Sequence, residues 1–271
     1  MMKNICLIGC GKMGSAMLAG WQKDEMLAAN FHVIEPMLDA PELASPHTSF
    51  YRDIGALPDG FTADLVVLAV KPQMMAEVLR VAVSVGSTET SWLSIAAGLS
   101  TQKLSAMLGG ETRILRAMPN TPAAIGMGIT ALFSCPDVPG DIRDLSEQLL
   151  RASGQVVHLQ DEKLMDAVTA LSGSGPAYVF LLAEAMAAAG HRLGLPEDMS
   201  MQLAIHTIKG AGALMAADDS PPAVLRENVT SKGGTTAAAL SVLMQEQRMV
   251  ALMDEALDAA AKRAAELDAQ G

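Results

Sequence analysis

Two short stretches of this chain have the residue types and spacing to hold anions. The first is Gly9-Cys10-Gly11-Lys12-Met13-Gly14, a G-x-G-x-x-G that follows an apolar run ending at Ile8 and opens an amphipathic one. In such a loop the first glycine permits a tight turn and the second lets the backbone approach a pyrophosphate. The third lets helix and strand pack closely, with the helix N-terminus facing the phosphates. A glycine turn with no ligand is the competing reading, and the strand–loop–helix context at the extreme N-terminus argues against it. Glu35 ends the second apolar run, at roughly the twenty-residue distance where an acid meets a ribose 2′-hydroxyl. A carboxylate there would repel a 2′-phosphate, which favours NADH, whereas Arg52 is a cation that could restore NADPH binding.

The second stretch is Val229-Thr230-Ser231-Lys232-Gly233-Gly234-Thr235-Thr236, directly before a long helical pattern. Two glycines allow a tight turn, and the first N–H groups of the following helix have no intrahelical partners. With the helix dipole behind them they can bind a carboxylate, and Ser231 can add a hydroxyl donor. The same residues also suit an ordinary helix start, in which Thr235 or another hydroxyl simply caps the helix. From the residues alone both readings stand.

Weaker signals lie between these two. Ala69-Val70-Lys71-Pro72 follows the most apolar run of the chain, and Ala96-Ala97-Gly98 follows the next. Ligands of open α/β sheets sit outside the carboxyl ends of strands, where both segments fall. A Lys-Pro after a strand is more often only a turn.

The elements that must position these residues change character along the chain. Lys3 to Ile8, Phe31 to Ile34, Leu65 to Val70, Trp92 to Ala96 and Arg113 to Met118 read as strands, and Met13 to Gln22 as a helix. LVVLAV has no alternation, as a parallel strand covered on both faces should not. Strands separated by helical patterns predict a doubly wound α/β sheet. From about Asp161 the strand signals vanish. Lys163 to Gly190 reads as helix interrupted by Ser172 to Pro176, and Pro196 to Ala217 reads as a second. Leu240, Leu243, Met244, Val250, Met253 and Leu257 mark one face of a long final helix from Thr235 to about Leu267. The boundary falls near 155–162. A helical half this rich in Ala, Gly and Met would expose much apolar surface alone, which predicts a homodimer, the alternative being that it packs entirely against its own N-terminal half.

Composition excludes several classes. Half of the 271 residues are hydrophobic, only 3 % are aromatic, and 19 are Met. A net charge of -11 leaves no basic footprint for nucleic acid. Of three cysteines, Cys6, Cys10 and Cys135, Cys6 falls in a predicted buried strand and Cys10 in the glycine loop, so neither reads as bridged, and such sparse usage fits a reducing cytoplasm. The N-terminus lacks a signal-peptide core, and the longest apolar stretch, Ala177 to Gly190, is too short for a membrane span. His32, His47, His158, His191 and His206 show no metal-ligand spacing, so no metal is expected.

Taken together, the segments IGCGKMG (8–14), LAVKPQ (68–73), SIAAG (94–98), RAMPNTPA (116–123), LSGSGPAY (171–178) and ENVTSKGGTT (227–236) resemble the pyrroline-5-carboxylate reductase family over nearly the whole chain. The resemblance implies a Rossmann-like domain over residues 1–160 followed by an all-α dimerisation and substrate-binding domain over 161–271. It implies reduction of 1-pyrroline-5-carboxylate, a cyclic imino acid, by NADPH or NADH to give L-proline. A homodimer is implied, and some members build rings of dimers. For the cofactor it points to Ile8, Gly9, Cys10, Gly11, Lys12, Met13, Gly14, Ala69, Val70, Lys71, Pro72, Ala96, Ala97, Gly98 and Asn120, to which Glu35 is added from its position. For the substrate it points to Asn228, Ser231, Gly234, Thr235 and Thr236, with Glu162 less strongly. Thr236 is assigned a hydrogen bond to the ring nitrogen. Lys232 departs from the family, which usually has proline there; the turn loses stiffness and gains a cation.

Two other readings compete. A 3-hydroxyacid-type dehydrogenase of the same fold would need a catalytic lysine in the helical half, and Lys163 and Lys209, the ones available, lie in no such motif. A non-catalytic NAD(P)H-binding regulator should have lost the turn that Ser231, Gly233, Gly234 and Thr236 retain.

Overall fold

The five strands that the sequence signals predict are all present in a computed structural model that describes residues 2–37, 43 and 45–270. Eight strands form one sheet: β1 (Lys3–Ile8), β2 (Ala29–Ile34), β3 (Thr48–Tyr51), β4 (Leu65–Leu68), β5 (Ser91–Ser94), β6 (Ile114–Met118), β7 (Gly128–Ser134) and β8 (Gly154–His158). Their order is β3-β2-β1-β4-β5-β6-β7-β8, and every neighbouring pair is parallel except β6 and β7. The chain therefore reverses direction across the sheet between β1 and β4, the place where open α/β sheets leave a crevice for a ligand.

Helices cover both faces because the central strands are buried on both. Ile5 and Leu7 of β1 and Val67 of β4 point to the face covered by α1 (Lys12–Trp21) and α4 (Gly140–Arg151). Cys6, Ile8 and Val66 point to the other face, against α2 (Met75–Ala82) and α3 (Thr101–Met107). This alternation within a continuous apolar run is what a doubly covered parallel strand requires. Trp21 ties the first face together: its ring stacks on Phe31, and Nε1 donates to the Leu149 carbonyl at 2.8 Å.

Three strands were not anticipated. β3 is a four-residue element next to β2, and β7 and β8 extend the sheet beyond the Arg113–Met118 strand. On β2, His32 is packed between the rings of Tyr51 and Phe61, and this burial holds its pKa below the ordinary 6.5. The unfolded chain then takes up this proton first, so the stability is full above pH 6.5 and lost as pH falls through the folded value. The thermal midpoint should fall over that acid range, and His32→Phe should flatten that part of the profile; an unchanged slope in the variant would rule the effect out.

The chain forms two compact units, residues 1–173 with 260–271, and residues 174–259. Residues 161–173 thus lie in the first unit, as a short turn at Glu162–Leu164, α5 (Met165–Val168) and a π-helical turn at Thr169–Gly173. The second unit holds α6 (Gly175–Arg192), α7 (Glu197–Ala217), α8 (Pro222–Asn228) and α9 (Thr235–Met244). It also holds the start of α10 (Arg248–Gln270). The expected single helix from Thr235 to Leu267 is in fact two. Glu246 and Gln247 take left-handed backbone with φ of 52° and 55°, which ends α9 and restarts the chain as α10.

Within the second unit the apolar faces are not covered. Of the 21 residues of α7 only Ser200 and Ala204 are buried, and α9 buries none. Phe180, Leu181 and Leu193 are 62, 63 and 87 % exposed. Among the described residues no helix is long and apolar enough to cross a membrane.

Candidate active site

The glycine loop has the geometry its sequence predicts, one glycine at a time. Gly9 has φ +93°, and a Cβ there would lie 2.8 Å from the Ala69 carbonyl oxygen. Only glycine tolerates that conformation without strain. A Cβ on Gly14 would collide with the Gly9 carbonyl oxygen, so the third glycine brings α1 against the end of β1. A Cβ on Gly11 would meet nothing within 4 Å, which leaves the second glycine facing open space. Gly11 also starts α1, and neither a side-chain cap nor an acidic first-turn residue occupies that helix end. The start of α1 therefore fits a phosphate-bearing ligand: an uncapped, positive helix end with no side chain at Gly11 in the way.

Beside the loop lies a cleft of about 560 Å³. Ile8, Gly9, Gly11, Glu35, Ala69, Val70 and Lys71 line it, as expected, and so does Arg52. Pro36, Asp53, Ile54 and Met74 also line it, and nothing in the sequence had singled them out. Glu35 is turned towards backbone: Oε2 accepts from Cys10 N at 2.9 Å and Oε1 from Met37 N at 3.2 Å.

The other cofactor candidates are not among the residues that line the cleft. Lys12 and Met13 begin α1, and Pro72 opens a 3₁₀ turn after Lys71. The Cys10 side chain packs into the sheet core, and burial with the nearby Glu35 carboxylate pushes its thiol up to about 11. Ala96, Ala97 and Gly98 form the loop between β5 and α3. Asn120 uses both ends of its amide internally: Nδ2 donates to the Ser172 carbonyl at 3.2 Å, and Oδ1 accepts from Ile129 N at 3.0 Å. It thereby fixes the turn after β6 to the π-helical turn.

Glu162 is also engaged. Its Oε1 accepts from Thr101 N at 2.7 Å and from Arg116 Nη1 at 3.0 Å, and its Oε2 accepts from Thr101 Oγ1 at 2.5 Å. Arg116 is only 3 % exposed, and its Nε and Nη2 find no acceptor among the described residues. Sequence reasoning did not single out this guanidinium, although an arginine inside the apolar strand Ile-Leu-Arg-Ala-Met implies a buried acid to pair it.

In the second unit the remaining substrate candidates gather at one helix start. Asn228 ends α8, Ser231 to Gly234 make the turn, and Thr235 and Thr236 begin α9. Gly233 has φ +74°, and Gly234 N donates to the Ser231 carbonyl at 3.0 Å. The N-cap position of α9 is Gly234, with no side-chain cap and no acidic residue in the first turn. The capping alternative therefore does not hold: neither threonine hydroxyl closes the helix end. What remains is a positive helix end with free N–H groups, flanked by the hydroxyls of Ser231, Thr235 and Thr236. That arrangement can grip a carboxylate.

Known proteins resemble the chain along its length. The family model described as pyrroline-5-carboxylate reductase dimerisation matches residues 162–267. A second, described as NADP oxidoreductase, coenzyme F420-dependent, matches residues 4–98. A pyrroline-5-carboxylate reductase of Pseudomonas aeruginosa is 38 % identical over 271 aligned residues, which is 98 % of this chain and 97 % of that one. The chain belongs to the pyrroline-5-carboxylate reductase family. Among solved structures, the pyrroline-5-carboxylate reductase of Coxiella burnetii superposes with a TM-score of 0.86 at 34 % identity, covering 98 % of this chain and 99 % of that one. The Plasmodium falciparum pyrroline carboxylate reductase, solved with NADP bound, gives 0.82 at 28 % identity over 99 % and 100 % of the two chains. The doubly wound N-terminal sheet followed by helices is thus the architecture of the pyrroline-5-carboxylate reductases. Their dimerisation segment begins in this chain at Glu162, the residue that holds Thr101 and Arg116.

Proposed function

We propose that this chain reduces 1-pyrroline-5-carboxylate to L-proline, the last step of proline biosynthesis, using NADPH or NADH. Family membership supports the reaction. The observation that carries it in this molecule is the start of α9, a helix end free of caps and acids that follows two glycines. A cyclic imino acid brings the carboxylate that such an end binds.

When bound, the reduced nicotinamide supplies a hydride to C5 of the ring. The protonated C=N is already electrophilic, so the protein's task is chiefly to hold and orient. The amides opening α9, with Gly234, Thr235, Ser231 and Asn228 around them, take the carboxylate. Thr236 is hydrogen-bonded to the ring nitrogen, which keeps its proton and becomes the secondary amine of the product. The glycine loop and Ala69 to Pro72 hold the dinucleotide, and Ala96 to Gly98 and Asn120 lie towards its reactive end. The Glu35 carboxylate is occupied by two backbone N–H groups, and Arg52 lines the same cleft. This arrangement supports acceptance of a 2′-phosphate as well as a free ribose. The functional division is taken at 160/161, with a helical homodimerisation domain after it. We assign the homodimer to the cytoplasm, and a ring of dimers is the higher assembly that the family suggests.

The test is direct. Purified protein with 1-pyrroline-5-carboxylate should consume near-ultraviolet nicotinamide absorbance with NADPH or with NADH. Oxidation of a 3-hydroxyacid without turnover of the imine would overturn the reading. Thr236→Ala should lower kcat/KM for the imine by about tenfold, the worth of one oriented hydrogen bond, while Thr236→Ser keeps most activity. Equal kcat/KM for Thr236→Ala and the parent would remove the residue from the reaction.

A further inference from the structure

The loop between β5 and α3 is tied down at two successive amides by carboxylates that arrive from far along the chain. Ser100 N donates to Asp268 Oδ1 at 2.7 Å, across 168 residues. Thr101 N donates to Glu162 Oε1 at 2.7 Å, across 61 residues, and Thr101 Oγ1 donates to Glu162 Oε2. Ser100 is the N-cap residue of α3 and Thr101 its first helical residue, and no side chain of the helix start caps it. A helix end is ordinarily capped by its own Ser, Thr, Asp or Asn within three residues. Distant carboxylates satisfy the same amides, but they also fix where the loop lies relative to β6 and to the end of α10. Arg116 of β6 holds Glu162 in turn at 3.0 Å. A third contact adds to these two. Gly98 has φ +66°, and a Cβ there would stand 2.7 Å from Leu267 Cβ, so the last turns of α10 rest directly on the loop.

The place of this loop gives the clamp its meaning. It leaves the carboxyl end of β5, and β5 pairs with β4, whose own following residues Ala69 to Lys71 line the dinucleotide cleft. Along the sheet it is the next loop outward from the crevice where ligands bind. We propose that Glu162 and Asp268 are positioning residues: they hold the backbone of Ala96 to Gly98 at the height against which the nicotinamide end of the dinucleotide packs. Both act through the amides of Ser100 and Thr101. The identity of the dinucleotide rests on the function proposed above.

Glu162 is paired with a buried arginine and its loss would disturb folding, so the test uses Asp268→Ala and Thr101→Val. Each removes one bond of the clamp with little change of shape. Binding of NADH and of ADP-ribose, which lacks the nicotinamide, is measured by calorimetry for each variant and the parent. Each variant should bind NADH about fivefold more weakly, as expected for part of one charge-assisted hydrogen bond. ADP-ribose should bind as it does to the parent. Asp268→Asn, which keeps an acceptor oxygen, should restore most of the NADH affinity. Unchanged NADH affinity in both variants, or an equal loss for ADP-ribose, would overturn the proposal. Because no imine is present in this binding test, a failure of the assigned reaction shows up separately, as a parent protein that binds both ligands but does not consume NADH when the imine is added.

Discussion

Glu162→Leu should destabilise the folded protein by about 3–5 kcal/mol, the cost of stranding one member of a buried ion pair. The Arg116 guanidinium is almost wholly enclosed, and two of its nitrogens already lack acceptors among the described residues. Without the Glu162 carboxylate it would keep no ion-pair partner among the described residues, and Thr101 would lose the acceptor for its amide and its hydroxyl. The loss is read from urea unfolding at constant slope. The double variant Glu162→Leu with Arg116→Met should recover much of it, because an apolar pair of similar size removes the buried charge as well. A single variant within about 1 kcal/mol of the parent would mean that the pair behaves like a surface one.

Gly11→Ala should separate folding from binding. The added methyl meets no protein atom within 4 Å, and Gly11 has φ of -67°, which alanine adopts freely. The thermal midpoint should hold or rise slightly, since alanine narrows the unfolded ensemble. Affinity for NADPH and NADH should nevertheless fall about a hundredfold, because the methyl projects where the pyrophosphate must approach backbone. Gly14→Ala makes the contrast. Its Cβ would strike the Gly9 carbonyl, so stability and binding should both decline. Undiminished dinucleotide affinity in Gly11→Ala would place the phosphates elsewhere.

The parts of the fold legible in the sequence were those where one physical demand outweighs the rest. β1 and β4 were readable because the part of a strand buried on both faces must be apolar, here Ile5–Ile8 and the whole of β4. The three glycines were readable because each answers a separate steric requirement; the structure has positive φ at Gly9 and a close helix–strand approach at Gly14, and it leaves open space at Gly11. β3 and β8 were not. β3 is a four-residue strand with no residue fully buried, and β8 buries only Val156. Neither bears a continuous apolar run. The end of α9 was hidden for the opposite reason. The apolar stripe runs on from Leu243 and Met244 to Val250, and the break at Glu246 and Gln247 uses neither glycine nor proline.

The candidate site divides along similar lines. The turn from Ser231 to Gly234 could be found locally, but whether a hydroxyl capped the following helix could not; the observed N-cap residue, Gly234, answers that. Contacts made over long sequence distance were invisible. The wall that Asp53 and Ile54 add to the cleft depends on β3, and the grip of Asp268 on Ser100 depends on where α10 ends. The Asn120 amide, assigned to the cofactor from its motif, is bonded to Ser172 and Ile129.

The bare flanks of α7 and α9 also bear on how this protein behaves on dilution. A helical unit that encloses so little of its own Leu, Met and Phe, in a chain matching a dimerisation family, should gain interior by association, so folding and assembly draw on one free energy. Its melting temperature then has no single value and climbs with protein concentration. In a cell, newly made chains would stay vulnerable to proteases until a second copy arrives.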